Sequence, residues 1–383
     1  MTGRARGGRH SSRCFALIAG GGTAGHVQPA IAIARALVDR GHKQSTIELV
    51  GSERGIEARL VPAAGFSLTL LPGRGLLRKL SLQNVRSLGA LVVALWRAWR
   101  LVGRRRPRVV VSVGGYASVP CALAAVARRV PVVVAEQNAA PGAANRLVGR
   151  FARACAVSFP GTPLPRAVVT GNPVRPEVLA IDRTRDAAGA RNKLGVEPGR
   201  RMVLVFGGSL GALRINRAAV DAVGRWAGRA DLHVRHVIGS RDWQQFTGPG
   251  AAPPLPPGAA LRYQPIEYDD DMPTALAAAD VAVCRSGSST SFELLAAGLP
   301  AVLVPSPFVT ADHQTANARH LEQAGAAVVV PDDQLDGERL AREVDALLAD
   351  PGRLAAMAAA ARAAAAPAAA ADIAALVEEH ARD

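Results

Sequence analysis

Three glycine-rich segments in the sequence have the composition of turns that bind phosphate groups. They cover residues 20–26 (GGGTAGH), 114–118 (GGYAS) and 207–211 (GGSLG), and each follows an apolar run. Glycine lets the backbone approach a ligand closely, and the helix that follows offers free N–H groups and a positive dipole end. Three such turns are more than one dinucleotide needs, so the pattern favours two phosphorylated ligands.

The first segment also satisfies the pattern G-x-G-x-x-G, which keeps a second hypothesis open. In dinucleotide-dependent dehydrogenases an acidic residue beyond the second strand binds the ribose, and Glu53 stands at a suitable place. A nicotinamide-dependent dehydrogenase therefore remains an alternative at this point.

His26 directly follows the first glycine turn, at the start of a predicted helix. A histidine there either caps or packs against the helix, or projects into a cleft. The helix dipole favours the neutral imidazole, which accepts protons. We favour a general base at His26.

A loop rich in hydroxyl groups occupies residues 285–293 (RSGSSTSFE) in the second half of the chain. One interpretation is a set of helix caps, with Thr290 and Glu293 forming a capping box. The other is a nucleotide site in which Glu293 accepts hydrogen bonds from ribose hydroxyls. The acidic run at 267–271 (EYDDD) is interpreted as a solvated turn that caps the next helix, and no metal site is predicted.

Apolar strands alternate with helical segments along most of the chain, which predicts an α/β fold with doubly wound parallel sheets. The pattern runs from residue 15 to about 180 and restarts at 201, after a charged stretch without a strong period. Two Rossmann-like halves would leave a cleft between the carboxyl ends of their sheets, where all the candidate residues fall.

Composition excludes several classes of protein. With 383 residues and 49% hydrophobic residues, the chain can bury large cores and is not mainly disordered. Its apolar runs are shorter than the roughly 20 residues of a membrane-spanning helix, and no secretion signal is expected. The four cysteines lie far apart, which is typical of reduced, buried thiols.

Charge is unevenly distributed, and one basic segment stands out. Residues 1–200 have 22 more basic than acidic residues, whereas residues 201–383 have 7 more acidic than basic residues. Residues 73–108 hold ten basic residues and no acidic one, and from Leu82 onward apolar residues recur every three or four positions. This predicts an amphipathic helix that packs on the core or rests on anionic lipid headgroups. Nucleic acid is not expected as a partner, because no nucleic-acid motif accompanies the charge.

Taken together and in order, seven motifs resemble those of the MurG family, the peptidoglycan N-acetylglucosaminyltransferases with the GT-B fold. The motifs are GGGTAGHVQPAIAIA, GGYAS, EQN, GNPVR, FGGSLGA, CRSGSSTSFELLAAG and DHQTANA, and the resemblance covers about residues 14–345. It implies inverting transfer of GlcNAc from UDP-GlcNAc to the C4 hydroxyl of undecaprenyl-diphospho-MurNAc-pentapeptide (lipid I), giving lipid II. It also implies a peripheral enzyme on the cytoplasmic face of the bacterial plasma membrane, without a cofactor, with other cell-wall and division proteins as further partners. A related GT-B enzyme acting on another lipid such as diacylglycerol, and a non-catalytic scaffold of the cell-wall machinery, are the alternatives.

The resemblance also implies roles for individual residues. His26 would remove the acceptor proton. Binding of UDP-GlcNAc would involve Thr23, Ala24, Gly25, Asn138, Arg175, Ser209, Ile266, Ser288, Ser289, Thr290, Ser291, Phe292, Glu293 and Gln314. The acceptor diphosphate would lie on Gly21, Gly22, Gly114, Gly115 and Tyr116.

The residue pattern along the chain gives the expected domain boundaries, and one residue departs from the family pattern. We expect a basic tail (1–12), an acceptor and membrane-associated domain (13–180), a linker (181–200), a UDP-GlcNAc domain (201–345) and Ala-rich helices (346–383) that pack back toward the N-terminal domain. Ala135 stands where the family commonly has His, which affects the expected details of acceptor binding.

Overall fold

The structure is a computed structural model that describes residues 14–53, 55–72, 82–208, 211–250 and 255–383. Three predictions fall outside the described residues. They are the basic tail (1–12), the part of the basic segment from 73 to 81, and the donor contact of Ser209. The elements of the first half are β1 (Ala16–Gly20), α1 (Ala24–Asp39), β2 (Ile47–Ser52), α2 (Glu57–Ala63), β3 (Ser67–Leu71), α3 (Leu82–Arg105), β4 (Val109–Gly114), α4 (Ser118–Ala127), β5 (Val132–Glu136), α5 (Ala143–Gly149), β6 (Ala154–Val157) and β7 (Ala167–Val169).

These strands form one parallel sheet of seven strands in the order β3-β2-β1-β4-β5-β6-β7. Strand β1 is fully buried because both faces of the sheet are covered, which explains its continuous apolar sequence. Successive side chains point to opposite faces: Ile18 packs in the core beneath α1, and Leu17 in the core beneath α3 and α4.

Two helices, α6 (Pro176–Leu179) and α7 (Arg183–Leu194), connect this sheet to the second half. The elements that follow are β8 (Arg201–Phe206), α8 (Leu213–Arg225), β9 (Leu232–Val237), α9 (Trp243–Thr247), β10 (Arg262–Ile266), α10 (Met272–Ala278), β11 (Val281–Cys284), α11 (Ser288–Ala297), β12 (Ala301–Leu303), α12 (His313–Gln323), β13 (Ala327–Val329), α13 (Gly337–Leu348), α14 (Pro351–Ala363) and α15 (Ala369–Glu379).

The second sheet is also parallel, with six strands in the order β10-β9-β8-β11-β12-β13. The two doubly wound sheets predicted from the sequence are therefore present. In each sheet the strand order reverses at one place, between β1 and β4 and between β8 and β11. Ligands of doubly wound sheets bind beyond the carboxyl ends of the strands at such switch points. All four predicted ligand loops follow these four strands.

The predicted linker and the last two helices lie outside the two sheets. The predicted linker, 181–200, contains α7, which packs against α10, so it is helical rather than irregular. Helix α14 packs on α11 in the second half, whereas α15 packs on α1 in the first half. The chain therefore crosses between the halves twice, and the crossings touch: a Cβ at Gly171, whose φ is +78°, would collide with Ala366. The domain boundaries themselves stay a prediction.

Candidate active site

The two halves meet at the carboxyl ends of their sheets. After β5, Asn138 accepts a hydrogen bond at Oδ1 from Asn317 Nδ2 of α12 (3.2 Å), and the Ala139 N–H donates to Asn317 Oδ1 (2.9 Å). Asn317 is fully buried and also donates to the Ser286 carbonyl oxygen (3.1 Å). The loops that carry the predicted site residues are thus joined by a polar contact across the junction.

His26 lies near this junction, in the first turn of α1. Thr23 is the N-cap of α1 but makes no capping hydrogen bond; its Oγ1 lies 3.2 Å from His26 Nδ1. The imidazole also lies against the second glycine turn, since a Cβ at Gly114 would be 3.1 Å from His26 Cδ2 and Nε2. The structure therefore places His26 between the two glycine turns rather than in a capping role.

The surroundings of His26 favour its neutral form. Burial lowers the pKa of His26 below its usual value of 6.5. The charge of Glu136 and the Gly21 carbonyl oppose this effect, as does the charge of Glu57 to a smaller extent, while His313 from the second half adds to it. A neutral imidazole can accept a proton, which is the state that a general base needs.

The two glycine turns pack directly on each other. Gly115 faces the backbone of Gly21 so closely that a Cβ would collide with the Gly21 carbonyl oxygen. Next to it, the Tyr116 hydroxyl is buried and has no hydrogen-bond partner among the described residues, and burial raises the pKa of Tyr116. Gly21, Gly114 and Gly115 are therefore brought together beside His26, whereas the Tyr116 side chain packs against the core beneath α3 and α4.

Two buried carboxylates that hold these loops were missed as site residues by the sequence analysis. Glu57 accepts hydrogen bonds beneath the first glycine turn. Glu136 accepts from the N–H groups of Asn138 (2.9 Å) and Gly142 (3.1 Å), and from Asn145 Nδ2 (3.0 Å). Glu136 stood within the EQN motif, but nothing in the sequence shows that its side chain turns back onto its own loop.

Ala135, where the family commonly has His, is the residue before Glu136. Its side chain is buried in the apolar core of the first sheet. The position is therefore an interior one in this chain and presents no polar side chain to the acceptor.

Arg175 and Glu293 form an ion pair between the connecting segment and α11. Arg175 Nε lies 2.8 Å from Glu293 Oε1. Burial raises the pKa of Glu293, and Arg175 opposes that rise. Helix α11 has Gly287 at its N-cap and no side-chain capping bond, so the capping box with Thr290 is not formed. Glu293 faces Arg175 instead.

The other predicted donor residues differ in accessibility. Ser288, Ser291 and Phe292 have buried side chains, and the Phe292 ring lies 5.0 Å from the Phe159 ring. Ser289 and Thr290 are only partly buried. Contacts of the buried members with a ligand are thus restricted to their backbone groups.

Gln314 lies in the first turn of α12, and Ile266 is the last residue of β10. The Ser306 N–H donates to Gln314 Oε1 (2.8 Å), and the Gln314 carbonyl accepts from Ser286 Oγ (2.8 Å). Gln314 lines a cavity of about 760 Å³ together with Gly207 and Gly211 of the third glycine turn. Ile266 is partly buried, and its carbonyl accepts from the Ile238 N–H (2.9 Å).

Comparison with known proteins identifies the class. Residues 16–157 match the glycosyltransferase family 28 N-terminal domain, and residues 202–375 match the glycosyltransferase family 28 C-terminal domain. These two family matches, together with the two doubly wound sheets, make the chain a glycosyltransferase with the GT-B fold. The dehydrogenase hypothesis drawn from G-x-G-x-x-G was therefore wrong.

Individual relatives narrow this class to a family. The chain is 42% identical to a UDP-N-acetylglucosamine--N-acetylmuramyl-(pentapeptide) pyrophosphoryl-undecaprenol N-acetylglucosamine transferase of Moorella thermoacetica, covering 90% of this chain and 93% of the relative. It is 42% identical to the protein of the same name from a Nocardioides species, covering 90% and 92%. The crystal structure of Acinetobacter baumannii MurG has a TM-score of 0.75 and 28% identity, covering 95% of this chain and 99% of that one. The chain belongs to this N-acetylglucosamine transferase family, the MurG family.

Proposed function

We propose that this glycosyltransferase moves GlcNAc from UDP-GlcNAc to the C4 hydroxyl of undecaprenyl-diphospho-MurNAc-pentapeptide, giving lipid II. The relatives named above carry the name of this transfer. The observation that supports it best is the junction itself. His26 on one half has a lowered pKa, which favours the uncharged imidazole. His313 on the other half, the neighbour of Gln314, is close enough to contribute to this lowering.

The second half is suited to the donor. Gln314 borders one cavity with Gly207 and Gly211, and Arg175 of the connecting segment pairs with Glu293 in the middle of α11. Arg175 would neutralise the diphosphate, and Glu293 would accept from ribose hydroxyls. UDP leaves as an anion, and N–H groups at helix starts together with Arg175 stabilise that charge without reorganising.

The first half is suited to the acceptor. The glycine turns at 20–25 and 114–118 would hold the diphosphate, and His26 would take the proton from the C4 hydroxyl. That oxygen then forms a bond to the anomeric carbon as the bond to UDP breaks on the opposite side. One displacement of this kind inverts the anomeric configuration.

Replacement of His26 by Ala tests the assignment of the base. We expect turnover of a lipid I analogue to fall at least about 100-fold, because a positioned base contributes roughly 10²- to 10⁴-fold. UDP-GlcNAc affinity, measured by calorimetry, should stay nearly unchanged.

His42→Ala is the matched control for this variant. His42 lies beyond the other end of α1, where it pairs with Glu378 (2.9 Å). Full activity in His26→Ala would remove His26 from the mechanism. Transfer to diacylglycerol in preference to the lipid I analogue would overturn the acceptor assignment.

We further propose that α3 attaches the protein to the cytoplasmic face of the bacterial plasma membrane. In the part of the chain that the structure describes, every helix is too short or too polar to span a bilayer. One face of α3 packs on the core through Ala94, Ala98 and Leu101, whereas Val92 (61% exposed) and Trp96 (56% exposed) project outward. Packing on the core, the simpler of the two interpretations, accounts for the first face only.

Arginines accompany the outward face of α3. The Arg100 guanidinium lies 4.8 Å from the Trp96 ring centroid, and Arg128 lies 4.0 Å from that of Trp99. Apolar side chains with basic neighbours supply the two signals that peripheral attachment to anionic lipid requires. Arg105 is different, since its Nε pairs with the buried Glu48 (2.7 Å) and therefore supports the fold.

A double variant, Val92→Ser with Trp96→Ser, tests the attachment. Burying one large apolar side chain contributes about 1.5–3 kcal/mol, so co-sedimentation with phosphatidylglycerol vesicles should weaken at least about tenfold. Tyr268→Ser, which removes an aromatic ring that is 58% exposed in the second half, is the control. Equal binding by all three proteins would return α3 to a purely structural role.

A further inference from the structure

Glu57 places a buried carboxylate directly beneath the first glycine turn. It begins α2 and is 1% exposed. The Gly22 N–H donates to both carboxylate oxygens (3.2 and 3.1 Å), and Ser52 donates to Oε1 from its N–H (2.7 Å) and its hydroxyl (3.0 Å). The carboxylate is therefore held from two directions by donors.

The local sequence leaves room for this carboxylate and for nothing larger. A Cβ at Gly21, Gly51 or Gly55 would collide with atoms of the Glu57 side chain. One glycine after β1 and two near the end of β2 thus surround one carboxylate. The Gly22 N–H, which the sequence analysis assigned to the acceptor diphosphate, is engaged with Glu57 inside the protein.

The contacts continue from Glu57 to His26. Gly22 has a φ of +94°, a left-handed conformation that favours glycine, and the next residue is Thr23, the N-cap of α1. Thr23 Oγ1 lies 3.2 Å from His26 Nδ1. In the tautomer in which Nδ1–H donates to Thr23, the lone pair that accepts a proton is on Nε2.

We infer that Glu57 is a positioning residue for the transfer reaction, which anchors the glycine turn so that Thr23 holds His26 in the orientation of a general base. This inference rests on the proposed role of His26. Because Glu57 is buried beneath the turn, its effect on the chemistry would pass through the Gly22–Thr23 backbone and through its own charge.

The pH dependence of kcat/KM distinguishes this role of Glu57 from a purely structural one. The charged or titratable groups that act on His26 are Glu57 from α2, Glu136 from the end of β5 and His313 from α12. Burial lowers the pKa of His26, and the negative charge of Glu57 raises it. Removing that charge lowers the pKa further, so the acidic limb of the kcat/KM profile moves to lower pH.

The test is Glu57→Gln, assayed with a lipid I analogue over a range of pH. The amide brings an NH₂ group to a place that faces only donors, so the turn shifts. Since misplacement by about 1 Å can cost roughly 100-fold, we expect kcat to fall about 10- to 100-fold. KM for UDP-GlcNAc should change less than about twofold, because uniform donor binding is retained. The acidic limb should move to lower pH.

Two further variants keep the test decisive. Glu48→Gln changes another buried carboxylate, on β2, which accepts from Thr69 Oγ1 (2.5 Å) and pairs with Arg105 of α3. It should lower the melting temperature without moving the limb. Glu57→Asp keeps the negative charge on a side chain that is one methylene shorter. The acidic limb of the kcat/KM profile should then lie where it does in the native protein, while kcat stays reduced.

The outcomes separate the two proposals. Two results would overturn the inference about Glu57. The first is that Glu57→Gln changes neither kcat nor the acidic limb of the kcat/KM profile. The second is that Glu48→Gln shifts this limb as much as Glu57→Gln does. If Glu57→Gln does not fold, Ser52→Ala removes one donor and keeps the charge. A several-fold lower kcat at constant donor KM then supports the inference, and a normal kcat overturns it. Full activity of His26→Ala overturns the proposed base instead.

Discussion

Arg175 and Glu293 show how one residue pair can link donor binding to protonation. Glu293 has a side chain that is 16% exposed, and its pKa is raised by burial. Arg175 favours the ionised form, which is the form that accepts hydrogen bonds from hydroxyl groups. The pair is therefore poised for a ligand that offers both a diphosphate and a ribose.

Arg175→Met should weaken UDP-GlcNAc binding and make it depend on pH. A hydrogen bond to a charged group contributes about 1.5–3 kcal/mol, so the dissociation constant should rise about 10- to 100-fold. Without the arginine the pKa of Glu293 rises further, so affinity should decrease as the pH falls from neutral to acidic. Calorimetric titration at several pH values measures both effects. Arg185→Met, which breaks the exposed pair with Asp186, is the control, and equal affinities for both variants would contradict the assignment.

Sequence reasoning found residues whose neighbours in sequence reveal their position. His26 was found because it follows a glycine turn at a helix start. Glu57 was not found, because its partners Gly22 and Ser52 lie on other elements and only the tertiary fold brings them to it. Isolated carboxylates without a local motif carry no such signal.

At the scale of elements, β9 is an interior strand of the second sheet that nevertheless carries polar side chains. All six of its residues are buried. His236 meets Tyr263 Oη at Nδ1 (3.0 Å) and Asn216 Oδ1 at Nε2 (3.1 Å), and Arg235 pairs with Asp269 (2.8 Å). Burial lowers the pKa of His236 to about 3.

This histidine should make stability depend on pH. The unfolded chain binds a proton near pH 6.5, whereas the folded chain does so only near 3, so stability is complete above the first value and decreases below it. The contribution is roughly 1 kcal/mol per pH unit in that window. The free energy of unfolding, measured with urea at several pH values, should depend on pH more steeply for the native protein than for His236→Asn. The difference between the two slopes should correspond to one proton. Parallel pH profiles would contradict the burial of a neutral His236.

The elements predicted from the sequence were those with strong apolar patterns. The amphipathic helix predicted from Leu82 onward is α3, and the Ala-rich end forms two helices on either side of its proline. Helix α7 was missed because only Ala190 in it is buried, so no apolar period develops. Its boundaries were marked all the same: Asp182 caps its start, and Gly195 ends it with a φ of 70°. The acidic run at 267–271 does cap α10, through Asp271 and the Thr274 N–H, but it is not a wholly solvated turn as predicted, since Asp269 is buried and pairs with Arg235.

At the scale of the whole molecule, the junction depends on Asn317. Its amide satisfies the Ala139 N–H and donates to Asn138 and Ser286, so one side chain joins both halves. No sequence pattern reveals such a contact, since 178 positions separate Asn317 from Ala139.

Asn317→Ala should weaken the coupling between the halves. The buried Ala139 N–H loses its partner at a cost of about 1–3 kcal/mol, and kcat should fall because the loop carrying Asn138 is released. Scanning calorimetry should show the melting transition broaden or divide.

Asn216→Ala is the matched comparison for this variant. Asn216 is also fully buried, but its amide bonds to Ile238 and Asp242 stay within the second half. It should lower stability without dividing the transition. Identical thermograms for the two variants would show that Asn317 has no special role at the junction.

Gly171 and Ala366 bring the two covalent connections between the halves side by side. A change in the distance between the halves has to be accommodated by both connecting segments at once. We therefore expect the halves to separate by rotation about an axis near Gly171 and Ala366 in preference to sliding past each other.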